Sequence, residues 1–108
     1  MRDYLLFESR DPFESADVPR HFELAASLAR EGNRVALYLV QNGVLAARRS
    51  VRSQTFATLA EVGVEVLADD FSLRERGIAP SQLPADVKPV TIDAALERLA
   101  EGRKALWF

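Results

Sequence analysis

Arg34-Val35-Ala36-Leu37-Tyr38-Leu39-Val40-Gln41-Asn42-Gly43 is the stretch whose reading decides the fold. One charged residue is followed by an unbroken apolar run, and Gln41-Asn42-Gly43 then turns the chain. A strand with one wet face alternates apolar and polar residues. An unbroken run of strand length reads instead as a strand buried on both faces, and such strands belong to parallel sheets covered by helices.

The same punctuation recurs on either side. Tyr4-Leu5-Leu6-Phe7 is a shorter apolar run, broken by Ser9-Arg10-Asp11-Pro12, because proline lacks a ladder donor and restricts the residue before it. Asp17 is placed to cap a helix with Pro19 in its first turn. Val18, Phe22, Ala25 and Ala29 recur at helical spacing beside Leu24 and Leu28, and Gly32-Asn33 stops the helix after Glu31. Downstream, Val44 to Ala47 starts a helix that residues 48–53 interrupt, and Phe56, Leu59 and Ala60 mark a second stripe ending at Gly63. Val64-Glu65-Val66-Leu67 reads as a third strand, and Leu73 to Arg76 as a short helix stopped by Gly77. Ile78 to Asp86 is loop-like, with Pro80 and Pro84. Val87 to Ile92 is a weak strand, and Pro89 marks it as an edge or a bulge. Asp93 caps a helix from Ala94 to Glu101, with Ala95, Leu96 and Leu99 expected to face inward. Lys104 to Phe108 is a last strand.

Strands alternating with helices predict one domain over residues 1–108. Its expected fold is a three-layer α/β/α sandwich with right-handed crossovers around a mostly parallel sheet of about five strands. The expected core includes Phe22, Leu28, Leu37, Leu39, Val66 and Leu99. Strand order is not legible at this level.

The charge is nearly balanced, 14 Lys+Arg against 16 Asp+Glu, which argues against a nucleic-acid partner needing a strong positive field. No apolar run approaches membrane-spanning length, so no membrane partner is expected. Met1-Arg2-Asp3-Tyr4 does not open a signal peptide, and the expected location is cytoplasmic. The chain contains no cysteine.

Taken in order, Ser9-x-Asp11-Pro12, the alanine-rich first helix ending in Glu31-Gly32, and Val35 through Val44 resemble the DsrE/DsrF-like (DsrEFH) sulfur-relay family. Gly63-Val64-Glu65-Val66, Arg76-Gly77-Ile78 and a last strand ending in Trp107-Phe108 fit the same pattern, so the resemblance covers essentially the whole chain. It implies an α/β/α domain that assembles into homo-oligomers (trimers or hexamers) or hetero-oligomers of related subunits. It also implies a persulfide-carrying cysteine just after the third strand, upstream of the Arg-Gly-Ile stretch. This chain has Asp69-Asp70-Phe71-Ser72 there. A carboxylate cannot become a persulfide, since thiolate is the species that attacks and carries sulfur. The resemblance therefore carries fold and assembly to this chain, but not sulfur chemistry.

In open α/β sheets, ligands bind beyond the carboxyl ends of the strands. Ser9, Arg10, Asp11, Gln41, Asn42, Gly43, Asp69 and Asp70 are the candidate cleft residues, with Thr91-Ile92-Asp93 beside them. Asn42-Gly43 would offer backbone N–H groups to an anion, or be a plain turn. Asp69 and Asp70 would form an acid/base pair or a cation site; in the plainer reading Asp70 caps a helix and Asp69 pairs with an arginine. Arg48, Arg49 and Arg52 form a basic patch for phosphate, intersubunit ion pairs or solvent. Together with Phe71, Leu73 and Ile78 they make up the candidate interface. His21, the only histidine, falls at the edge of the first helix's apolar face and reads as a packed, hydrogen-bonded residue. Trp107 and Phe108 read as sheet core or subunit contact. No catalytic residue, metal or cofactor is assigned. The expected role is a non-catalytic oligomeric subunit, or a small-ligand or protein-binding domain, tied to sulfur-relay systems. The alternative is a small enzyme using Asp69 or Asp70 as acid/base.

Overall fold

The computed structural model describes residues 2–48 and 53–108. In chain order the elements are β1 (Asp3–Glu8), α1 (Val18–Arg30), β2 (Arg34–Leu39), a 3-10 segment (Gln41–Ala47) and α2 (Ser53–Glu61). They continue with β3 (Val64–Asp69), α3 (Asp70–Glu75), a 3-10 turn (Pro80–Gln82), β4 (Val87–Val90), α4 (Ile92–Ala100) and β5 (Lys104–Trp107). The strands form one sheet in the order β4-β3-β2-β1-β5, each paired in parallel with its neighbours.

The winding explains which face each helix covers. From β1 to β4 the chain steps across the sheet in one direction, and right-handed crossovers keep the intervening helices on one side. Val18 and Phe22 of α1, Phe56 and Leu59 of α2, and Leu73 of α3 accordingly pack with Leu6, Leu37, Leu39 and Val66. From β4 the chain returns across the whole sheet to the far side of β1, so α4 lies on the opposite face. There Ala95 meets Leu5, Phe7, Ala36, Tyr38 and Leu67. β2 is the middle strand with both faces covered, which is why its sequence is apolar throughout. β4 is an edge strand, as Pro89 indicates.

The expectations fail where helices meet solvent. Within α4 only Ala95 is buried; Leu96 and Leu99 are 53% and 40% exposed. Among the described residues this helix alone covers its face of the sheet, and it does so through a narrow strip. Ile92, Leu96 and Leu99, at i, i+4 and i+7, lie to one side of that strip. The helix begins at Ile92, with Thr91 rather than Asp93 at the N-cap position. Leu73 and Ile78, expected at the surface, are 1% and 4% exposed. Helix α3 starts three residues earlier than read, at Asp70, which turns Leu73 into the core, and the Ile78 N–H donates to the Leu73 carbonyl. Trp107 is not core: it is 61% exposed and stacks on Phe7 at a ring separation of 4.8 Å.

One turn depends on a missing side chain. A Cβ on Gly43 would lie 2.0 Å from the Glu8 carbonyl oxygen, so β1 and the 3-10 segment meet only because residue 43 has none. Gly43→Ala should cost about 1–3 kcal/mol or more, as overpacking against backbone does. Urea unfolding of the variant checks this, with a lowered midpoint expected.

Candidate functional site

The carboxyl ends of the strands carry two buried polar groupings. The first follows β2 and β3. Tyr38 Oη donates to Asp69 Oδ1 at 2.5 Å, and Asp69 Oδ2 accepts from the backbone N–H of Ser72 at 2.9 Å and from its hydroxyl at 2.6 Å. Ser72 Oγ in turn accepts the Gln41 N–H at 2.8 Å. Gln41 has φ of 53°, so this bond anchors a left-handed residue at the strand end. Burial pushes the Tyr38 phenol far above its ordinary range, and the bond to Asp69 adds to the shift. Tyr38 thus stays the donor and Asp69 the acceptor.

These bonds settle the parts played by the paired aspartates. Asp69, not Asp70, caps the helix, and Asp70 pairs with Arg74 one turn along at 3.3 Å. The two carboxylates are held by different partners, as expected for neighbours leaving a strand in different directions. Asn42-Gly43 is a turn: the Gly43 N–H donates to the Val40 carbonyl, and Asn42 Oδ1 accepts two bonds from the Arg76 guanidinium.

The second grouping lies at the end of β1, where the winding reverses between β1 and β5. Glu8 is wholly buried on the α1 side of the sheet. Its Oε1 lies 2.5 Å from His21 Nδ1, and its Oε2 accepts the Arg10 N–H at 3.3 Å. The His21 ring stacks on Phe108 at 4.0 Å and 13°. Phe108 is itself fixed, because its carbonyl accepts from the N–H and hydroxyl of Ser9 while its N–H donates to Phe7. His21 is packed and hydrogen-bonded, as read from the sequence. Its partner Glu8 was missed, because nothing in an acidic residue at the end of an apolar run shows that it turns inward. The available signal was the parity of β1, which puts Glu8 on the same face as Leu6.

Of the candidate cleft residues, Ser9, Arg10, Asp11 and Asn42 do come together, with Glu14, around an open cleft of about 470 Å³. Gln41, Gly43, Asp69 and Asp70 stand outside its lining. Of the candidate interface, Phe71 is 62% exposed and Arg48 is exposed. Leu73 and Ile78 are core, and Arg49 and Arg52 lie outside the described residues. Among the described residues no cluster of three or more His, Asp or Glu side chains is placed to hold a metal ion. Among them, too, no helix is long and apolar enough to cross a membrane.

The model of the DsrE/DsrF-like family matches residues 3–108. The chain belongs to that family. Solved structures show the same DsrE fold. YchN from E. coli superposes with a TM-score of 0.89 at 20% identity, over 100% of both chains. MTH1491 from Methanobacterium thermoautotrophicum gives 0.83 at 21% identity, over 99% of this chain and 98% of that one. BT1422 from Bacteroides thetaiotaomicron gives 0.81 at 16%, over 98% and 94%. No curated protein sequence matches significantly. This DsrE-family chain lacks the thiol that sulfur carriage needs, and its Asp69 is engaged in holding α3 and Tyr38 in place.

Proposed function

We propose that this DsrE-family protein is a non-catalytic assembly subunit of a cytoplasmic, sulfur-relay type system, joining copies of itself or related subunits without carrying sulfur. The observation that supports this reading is the face covered by α4. Ile92, Leu96 and Leu99 are 51%, 53% and 40% exposed along one side of the helix, and Trp107 on the same face of the sheet is 61% exposed. Single exposed apolar residues are ordinary, but large ones gathered on one face mark an interaction surface. The winding supplies the physical reason: among the described residues a single nine-residue helix covers this side of a five-stranded sheet. A second subunit laid over α4 and Trp107 would finish the burial.

A trimer or hexamer of this chain, or a mixed oligomer with related subunits, fits the reading equally. The contact moves from the segment around Leu73 and Ile78, which is core, to α4 and β5. Leu96→Glu should weaken association by about tenfold or more, because it places an unpaired charge in an apolar contact while leaving the core untouched. Sedimentation velocity across a concentration series measures this. Association as tight as in the unsubstituted protein would reject the α4 face as the contact.

A further inference from the structure

We propose that the partner covering α4 and β5 is a second copy of this chain, joined edge to edge through antiparallel β5 strands so that two five-stranded sheets become one. The pairing rests on the assembly reading and gives it an occupant and a register. The two ends of the sheet are unlike. At one end β4 carries Pro89, which has no N–H to offer a further strand. At the other end β5 has no proline, and among the described residues no strand lies beyond it.

Hydrogen bonds at Phe108 fix which backbone groups of β5 face outward. The Phe108 N–H donates to the Phe7 carbonyl, and the Phe108 carbonyl accepts from the Ser9 N–H, so both face β1. Alternation along the strand turns those of Leu106 and Lys104 to β1 as well, and those of Ala105 and Trp107 to the open edge. These outward groups match their own counterparts across a two-fold axis. Ala105 then bonds Trp107 of the partner subunit, Trp107 bonds Ala105 of the partner subunit, and the two copies of Leu106 meet on the axis. The side chains suit this register. Ala105 and Trp107 both point to the α4 face and both are exposed, and the small Ala105 leaves room for the partner's indole in each cross-strand pair.

Helix α4 suits it too. The Arg98 guanidinium donates to Glu65 of β3 at 2.7 Å, so Ile92, Leu96 and Leu99, on the other side of Ala95, lean towards β5. From Ala100 back to Leu96 the helix climbs about 6 Å, and from Lys104 to Leu106 the strand climbs about 6.6 Å, so Leu96 stands near the level of the axis. With strands about 4.8 Å apart, β1 and its counterpart lie about 14 Å apart, a gap for Leu96 and Trp107 of both copies to fill. Ile92, Leu96, Leu99 and Trp107 are each about half open. At roughly 200 Å² apiece they supply about 400 Å² per copy. The β5 backbones and Leu106 add to this, towards the roughly 800 Å² per partner that a stable dimer buries. A hexamer built of three two-fold pairs contains this contact and a bare trimer does not.

The chain has no cysteine, so one introduced cysteine reports on one place. Leu106→Cys should give a covalent dimer under mild oxidation, because residues facing each other in a non-hydrogen-bonded pair have Cα atoms about 4.5 Å apart, within bridging range. Lys104→Cys, on the same face but about 14 Å from its counterpart, should not. Ala105→Pro removes an outward donor and leaves the ladder to β1 whole. It should keep the circular-dichroism spectrum and weaken association about tenfold or more in sedimentation velocity. If that variant does not fold, the two cysteine variants decide. Leu96→Glu separates this pairing from the broader assembly reading. If Leu96→Glu dissociates the protein while Ala105→Pro associates at full strength, the edge pairing is overturned and assembly through α4 stands. The same holds if Leu106→Cys gives no covalent dimer, or Lys104→Cys gives as much. A protein that stays a single chain at every concentration overturns both.

Discussion

Leu37→Ala should lower the free energy of unfolding by about 2–5 kcal/mol, the range for a buried leucine that leaves a cavity. Leu37 is wholly buried at the centre of β2, itself the middle strand. It pairs in register with Leu6 on one side and Val66 on the other, and it packs in the cluster that holds Phe22 and Phe56. Both flanking strands are pinned by parallel ladders, so the surroundings have little freedom to collapse into the space. Domains of this kind are stable by only about 5–15 kcal/mol, so the loss is a large share of the total. Denaturant unfolding with an unchanged slope and a clearly lower midpoint is the expected result. An unchanged midpoint would mean that β2 is not the central strand.

Asp69→Ala should cost about 3 kcal/mol. Loss of a helix cap contributes about 1 kcal/mol. The Tyr38 hydroxyl, left buried without an acceptor, contributes about 1–3 kcal/mol more. The substitution also releases the Ser72 hydroxyl that holds Gln41 in its left-handed conformation. A Tyr38→Phe background isolates the shared term: there Asp69→Ala should cost about 1–3 kcal/mol less than in the unsubstituted protein. Equal costs in the two backgrounds would mean that the Tyr38–Asp69 bond contributes nothing to stability.

The layered α/β fold was legible because both-face burial and turn chemistry are local signals. Val35 through Val40, the glycines after the helices and Pro89 at the edge each report their own surroundings. Leu96 and Leu99 misled for the same reason. Their spacing shows that they share one side of a helix, but not whether the sheet or another molecule lies against it, since that depends on where α4 crosses. Leu73 and Ile78 were misplaced by the frame of a short helix, where a shift of a few residues turns the stripe by a large angle. In the candidate site, Ser9, Arg10, Asp11 and Asn42 were legible from the rule that ligands sit at strand ends. The Glu8–His21 pair was not, because it joins residues 13 apart through a strand and a helix whose packing no local pattern encodes. Which aspartate caps α3 turned on where β3 ends, and strand boundaries are weakly marked in sequence.

The central claim is that this DsrE-family chain works as a subunit whose α4 and β5 face is covered in solution. Sedimentation equilibrium of the unsubstituted protein at micromolar concentration, repeated at a hundredfold higher concentration, tests it most directly. The expected mass is a multiple of 12.0 kDa, reduced towards the single chain by Leu96→Glu. A mass of 12.0 kDa at both concentrations would contradict self-assembly, and failure to join a related subunit when mixed with it would contradict the subunit role altogether.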